Sequence, residues 1–93
     1  PSSAASDVYK RQIIELTFES SEPIEVTLNP ASYDDLPPAN LPMTFTVDGK
    51  VTVPIEIEVP DDTLPGTYWA DVEVQLGDMP YSFYCWIGVT IGD

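Results

Sequence analysis

The stretch VTVPIEIEVPDDTLPGTYWADVEVQLGD, Val51 to Asp78, decides the fold. Its apolar residues fall on every second position. Val51, Val53, Ile55, Ile57 and Val59 share one face, with Thr52, Glu56 and Glu58 on the other. Past the turn PDDTLPG at 60–66, Tyr68, Ala70, Val72, Val74 and Leu76 face inward, and Trp69, Asp71, Glu73 and Gln75 face outward. A period of two belongs to half-buried strands, not to helices. Pro54 lies on the outward phase and cannot donate to a ladder, so its strand is expected at a sheet edge. Outward glutamates there discourage edge-to-edge pairing.

The same pattern extends both ways. Residues 13–19 place Ile14, Leu16 and Phe18 inward, residues 20–23 read as a turn, and 24–28 place Ile24, Val26 and Leu28 inward. Residues 29–42 are rich in Pro, Asn and Asp and read as one long loop, functional or partly mobile. Met43, Phe45 and Val47 resume the alternation, and Asp48-Gly49 predicts a tight hairpin into residues 50–59. After a turn at 77–80, the final run 81–91 has Tyr81, Phe83, Cys85, Ile87, Val89 and Ile91 inward, with Ser82, Tyr84, Trp86 and Thr90 outward. About six short strands separated by turn signals predict an all-β antiparallel sandwich. Two sheets packed face to face would bury the apolar phases.

Residues 1–12, PSSAASDVYKRQ, stand outside this pattern. DVYKRQ is what GAT GTG TAT AAG AGA CAG encodes, and that DNA matches a transposon end used to attach sequencing adapters. The opening resembles an adapter read-through, so it is set apart as an adapter-derived or disordered tail. The domain is expected to span 13–93, and 1–12 to make no strand pairing. The natural product is expected to extend upstream of Ile13, with any export signal and a first strand in that missing part, as in a gene fragment of environmental origin.

Charge bounds the partners. Sixteen Asp and Glu face three Lys and Arg with no His, a net −13. Such a surface repels nucleic acid and anionic lipid. No apolar run approaches the ~20 residues of a membrane helix, so no membrane insertion is expected. Without His there is no general base poised near neutral pH. Cys85 stands alone on an inward phase, the pattern of a buried structural thiol. No phosphate loop, zinc spacing or EF-hand loop is present, and the chain reads as non-enzymatic. No cofactor is expected. Calcium is the one metal the residues bring to mind, through the loop carboxylates Asp34, Asp35, Asp61 and Asp62, though adjacent aspartates in turns ordinarily bond turn amides.

The alternating strand, Val-Pro, Asp-rich turn, Pro-Gly-Thr-Tyr and second strand of Val51 to Asp78 resemble a recurrent pattern of bacterial and archaeal surface proteins. It is similar to the immunoglobulin-like domain appended to some α-galactosidases, to domains of S-layer-associated proteins, and to camelysin-type fibre and bundling-pilus subunits. The likeness covers about the last half of the chain and is one of fold. It implies an immunoglobulin-like or fibronectin-type-III-like sandwich, truncated at its N-terminal side, in an extracellular or cell-surface protein. In that frame Pro65-Gly66 makes the turn, and Tyr68 drops into the core with its hydroxyl needing a partner.

The outward aromatics Trp69, Tyr84 and Trp86 are the candidate contact surface. A two-residue turn at Gly77-Asp78 would set Trp69 opposite Trp86, and a four-residue turn would set Asp71 there. Either register keeps the rings within reach on one face, beside an acidic rim of Asp71 and Glu73. Exposed aromatic patches mark contacts with neighbouring domains, protomers or carbohydrate, or are covered by missing strands. The expected role is a structural or adhesion spacer of a larger surface or secreted protein. The alternatives are a filament or pilus subunit completed by β-strand complementation, and a carbohydrate-binding appendage of a glycoside hydrolase.

Overall fold

The computed structural model describes residues 9–92. It is all-β and sandwich-like, with antiparallel sheets of four and two strands. In chain order the strands are β1 (Tyr9–Pro30), β2 (Met43–Pro60), β3 (Gly66–Trp69), β4 (Val72–Leu76), β5 (Phe83–Cys85) and β6 (Gly88–Ile91). The larger sheet has the order β2-β1-β4-β5, and the smaller pairs β3 with β6. Their inward faces bury one cluster, which includes Val26, Leu28, Val47, Ile55, Ile57, Val59, Val72, Val74 and Val89.

Six strands form, but they are cut differently from the expectation. The first four expected strands merge into two. β1 runs through the expected turn at 20–23 as a register shift between Ser20 and Ile24, and β2 runs through Asp48-Gly49. Asp48-Gly49 is therefore no hairpin. Gly49, opposite Ser20 with φ of +88°, lets β2 bend where β1 carries its extra residues. Apolar parity explains the continuity. Inward residues are even-numbered in β1 from Ile14 to Leu28 and odd-numbered in β2 from Met43 to Val59, so each strand passes its bend without changing face.

β1 also begins earlier than expected. Tyr9 to Gln12 pair with Ile57 to Pro60, so the expectation that nothing before Ile13 joins a strand is corrected for these four residues. Backbone pairing needs no apolar alternation, and the β1-facing side of β2 runs on to Pro60 to receive them. Residues 1–8 lie outside the described part.

The last two expected strands each split instead. β3 and β4 pair with β6 and β5 in one common register, in which Trp69 faces Gly88 and Val72 faces Cys85. The four-residue turn is thus the one adopted. Between these pairs the hairpin passes from the small sheet to the large one.

Burial follows the inward phase where the opposing sheet reaches. Ile87 and Val89 are buried, whereas Cys85 is half-buried and Phe83 and Tyr81 are exposed. The inward placement of Tyr81 and Phe83 is therefore corrected. β5 is an edge strand of the larger sheet, in which only Cys85 packs against the buried cluster, and Tyr81 precedes the strand.

The segment 31–42 is an irregular connection bonded to the edge of β2. Ala39 N donates to Glu56 O, Asn40 Nδ2 donates to Pro54 O, and Glu56 N donates to Asn40 Oδ1. These bonds occupy the outer edge of β2, where Pro54 has no N–H to offer. Edge placement of the Pro54 strand agrees with the sequence expectation.

Two isoleucines test the inward and outward phases. Ile55→Ala, at a fully buried site, is expected to cost roughly 2–5 kcal/mol in urea unfolding. Ile13→Ala, at a site 58% exposed, is expected to stay within about 0.5 kcal/mol. Equal losses would refute the assigned faces.

Candidate functional site

The site grows from the break between β3 and β4. Ala70 and Asp71 sit opposite Ile87 and Trp86 in the common register. Ala70 N donates to Ile87 O at 2.9 Å, as a ladder requires. Ile87 N, however, donates at 2.8 Å to Asp71 Oδ1, a side-chain carboxylate. Asp71 has no exposed surface. It was expected on the outward phase, as part of an acidic rim. Register and inward phase are kept on either side, with Ala70 and Val72 both buried, but at the sheet crossing the carboxylate is turned into the ladder. Its Oδ2 has no hydrogen-bond partner among the described residues.

The outer side of the same strand pair is held by the loop after β1. Asp71 N donates to Asp34 Oδ1 at 2.8 Å, and Trp69 N donates to Asp35 Oδ2 at 3.0 Å. Trp69 O accepts from Asp35 N and Leu36 N, and Asp71 O accepts from Ala31 N. Ala31 N also reaches Asp34 Oδ2 at 3.2 Å. Asp34 and Asp35 thus each commit one oxygen to a backbone amide of a second segment, a longer-range version of the turn-amide role, and Asp34 also caps Ala31 N in its own loop. Asp61 and Asp62 are exposed in the β2–β3 turn, which is closed by Thr63 N donating to Pro60 O. Among the described residues no group of three or more His, Cys, Asp or Glu is placed to hold a metal ion.

Desolvation is the largest influence on three groups here. It raises the Asp34 carboxyl, partly offset by the Asp71 backbone N–H, which favours the charged form. It raises the Tyr33 phenol, helped by the negative charge of Asp71, and the Cys85 thiol, again with Asp71 as the second cause.

The pinned loop delivers Tyr33 to the aromatic face. Its ring lies 5.7 Å from Tyr84 and 5.9 Å from Trp86, centroid to centroid, and Trp69 meets Trp86 edge-on at 6.5 Å. The structure therefore brings Trp69, Tyr84 and Trp86 into one cluster and adds Tyr33, which sequence reasoning left in a loop. The only signal for Tyr33 was its position just before two capping aspartates. Trp69 lies across Gly88, where an added Cβ would come within 3.5 Å of the indole Cζ3. The cluster stays open to solvent: Trp86 is 66% exposed, and Tyr33, Trp69 and Tyr84 are each 43–48% exposed. Edge and tilted contacts of this kind add modestly to ring burial and hold the rings in place.

No family model, no curated protein and no solved structure matches the chain.

Asp71→Ala would leave the Ile87 amide without its acceptor. The expected loss is about 1–3 kcal/mol, read as a fall of roughly 4–8 °C in Tm per kcal/mol for a domain of this size. Asp71→Asn keeps an oxygen acceptor and is expected to lose less; an equal loss would show that the amide contact is not what Asp71 supplies. At Cys85, iodoacetamide is expected to react slowly in the native domain and faster in urea. Its raised pKa also places the native alkylation midpoint above that of an unfolded cysteine. A native midpoint at or below the unfolded one would contradict the half-buried placement.

Proposed function

We propose that this chain is a non-catalytic structural or adhesion module of a larger surface or secreted protein, and that it docks on a neighbouring domain or protomer through Tyr33, Trp69, Tyr84 and Trp86. The observation that carries this reading is the exposure of four rings linked in a chain of contacts, Tyr84 to Tyr33 to Trp86 to Trp69, on a braced strand crossing. Large exposed aromatic surfaces characterise contact sites, and aromatic anchors dominate their energetics. We further propose that its sandwich is of the immunoglobulin-like kind, a reading that Tyr68 supports. Its hydroxyl donates at 2.6 Å to the Leu64 carbonyl four residues upstream, an arrangement found at corners of such sandwiches. Asp34, Asp35 and Asp71 serve as acceptors for backbone amides, which gives them an architectural task, while Glu73, opposite Tyr84, accepts from the Ser82 hydroxyl.

Trp69→Ala and Trp86→Ala, each compared with wild type by sedimentation velocity, are expected to weaken self-association or docking to an adjoining domain at least tenfold. Soluble oligosaccharides are expected to leave the tryptophan fluorescence unchanged. The sugar-binding alternative gives the opposite pattern: assembly unchanged, and retention on an insoluble polysaccharide lost in both variants.

A further inference from the structure

A second surface, distinct from the aromatic cluster, follows from the unequal partnering of β1. Its C-terminal half lies between β2 and β4, which pairs with Val26 to Pro30. Gly77 N donates to Glu25 O at 2.7 Å, and the chain then turns away through Gly77 to Pro80. From Ile24 back to Tyr9, β1 pairs with β2 alone among the described residues.

Alternation identifies what this edge offers. Glu56 points its N–H and C=O away from β1, to Asn40 and Ala39. Its partner Ile13 therefore also points its backbone groups away from β2, and so do Glu15, Thr17 and Glu19. These four residues present a row of N–H and C=O groups in line with the end of β4. Beneath that line runs a cleft of about 150 Å³ walled by Phe18, Ile24, Val26, Val47 and Leu76. Burial also falls away toward the edge. Ile55 is fully buried, while its cross-strand partner Ile14 is only half-buried, as are Leu16 and Phe18. An added strand would cover all three.

We propose that the free edge of β1 accepts an extended segment of another protein as an antiparallel strand, and that this segment alternates apolar residues with lysine or arginine. The apolar residues would cover Ile14, Leu16 and Phe18 and fill the cleft. The alternate residues would face outward beside Glu15 and Glu19, where cross-strand pairing favours the opposite charge. A second copy of this chain is disfavoured at this edge because antiparallel pairing of two β1 strands would set Glu15 and Glu19 against the same glutamates.

The test uses the full chain and a fluorescent octapeptide of alternating valine and lysine, read by polarisation. This peptide is expected to bind at least tenfold more tightly than its valine–glutamate counterpart, and several-fold more weakly in 0.5 M than in about 0.05 M NaCl. Strand addition places the lysine amides on the edge. N-methylation of those amides should abolish binding, and N-methylation of the valine amides should preserve it. The exposed double variant Glu15→Lys, Glu19→Lys should reverse the charge preference. Thr17→Pro, which removes an edge N–H as Pro54 does on β2, should lose binding without loss of the β circular-dichroism signal. Equal effects of the two N-methylated isomers would overturn strand addition. Equal binding of the two charge types, or a dimer of the chain that Thr17→Pro dissociates, would overturn the proposed occupant.

Discussion

The bond from the Ile87 amide to the Asp71 carboxylate is the joint on which the rest of the structure turns. An uninterrupted hairpin of residues 66–76 and 83–91 would lie in one sheet and leave one apolar face uncovered. The carboxylate accepts a bond that a regular ladder would send to a carbonyl, so the strands bend there without leaving the amide unpaired. One hairpin thereby supplies strands to both sheets. The cost is a buried acid with one oxygen unpartnered and no cationic neighbour among the ion pairs of the described residues, both of which are made by Arg11. Such a cost is borne where the geometry has no apolar substitute: a leucine at position 71 would fill space but accept nothing.

The joint also explains the loop. Asp34 and Asp35 accept the amides of Asp71 and Trp69 on the side away from β6, while Asn40 occupies the outer edge of β2. A segment without regular structure thus covers two sheet edges in succession, a common way for sheets to avoid adventitious pairing. Leu36 and Pro38 are buried between these attachments. Tyr33 owes its place to this bracing, and so the aromatic cluster depends on a carboxylate that touches none of its rings directly in the hydrogen-bond network.

Period-two alternation made the all-β architecture legible, and Pro54 marked an edge strand. The bends were not legible as bends because turn chemistry and bend chemistry use the same residues. Asp48-Gly49 is as good a bulge as a hairpin. The deciding signal is parity: Val47 and Val51 share a face with Gly49 between them, so the strand can run on, whereas a two-residue hairpin would restart the phase. At the crossing parity holds, with Ala70 and Val72 both buried, and so gave no sign that Asp71 between them is buried too. A polar residue on an outward phase reads as solvated, and only the register with Ile87 reveals that it is turned in. Trp69, Tyr84 and Trp86 were placed together from phase alone. Tyr33 was missed because no periodicity connects a loop residue to a sheet face.

The outward face elsewhere shows what the sheet itself asks for. Thr17 meets Thr52 at 3.0 Å, Thr27 meets Thr44 at 3.1 Å, and Thr67 meets Thr90 at 3.5 Å, each through their hydroxyls. Threonine pairs satisfy β-propensity on a solvated surface and expose little apolar area. Glu15, Glu19, Glu25, Glu56 and Glu58 add charge to the same outward faces of β1 and β2. Against this background Tyr33, Trp69, Tyr84 and Trp86 gather at the crossing, where loop and side-chain bonds brace the backbone. Strand propensity alone would be met there by threonine, at no cost in exposed apolar surface. Rings placed where the scaffold is stiffest lose little further freedom on contact, which lowers the entropic cost of docking. That economy supports reading the cluster as a contact surface rather than as a by-product of the fold.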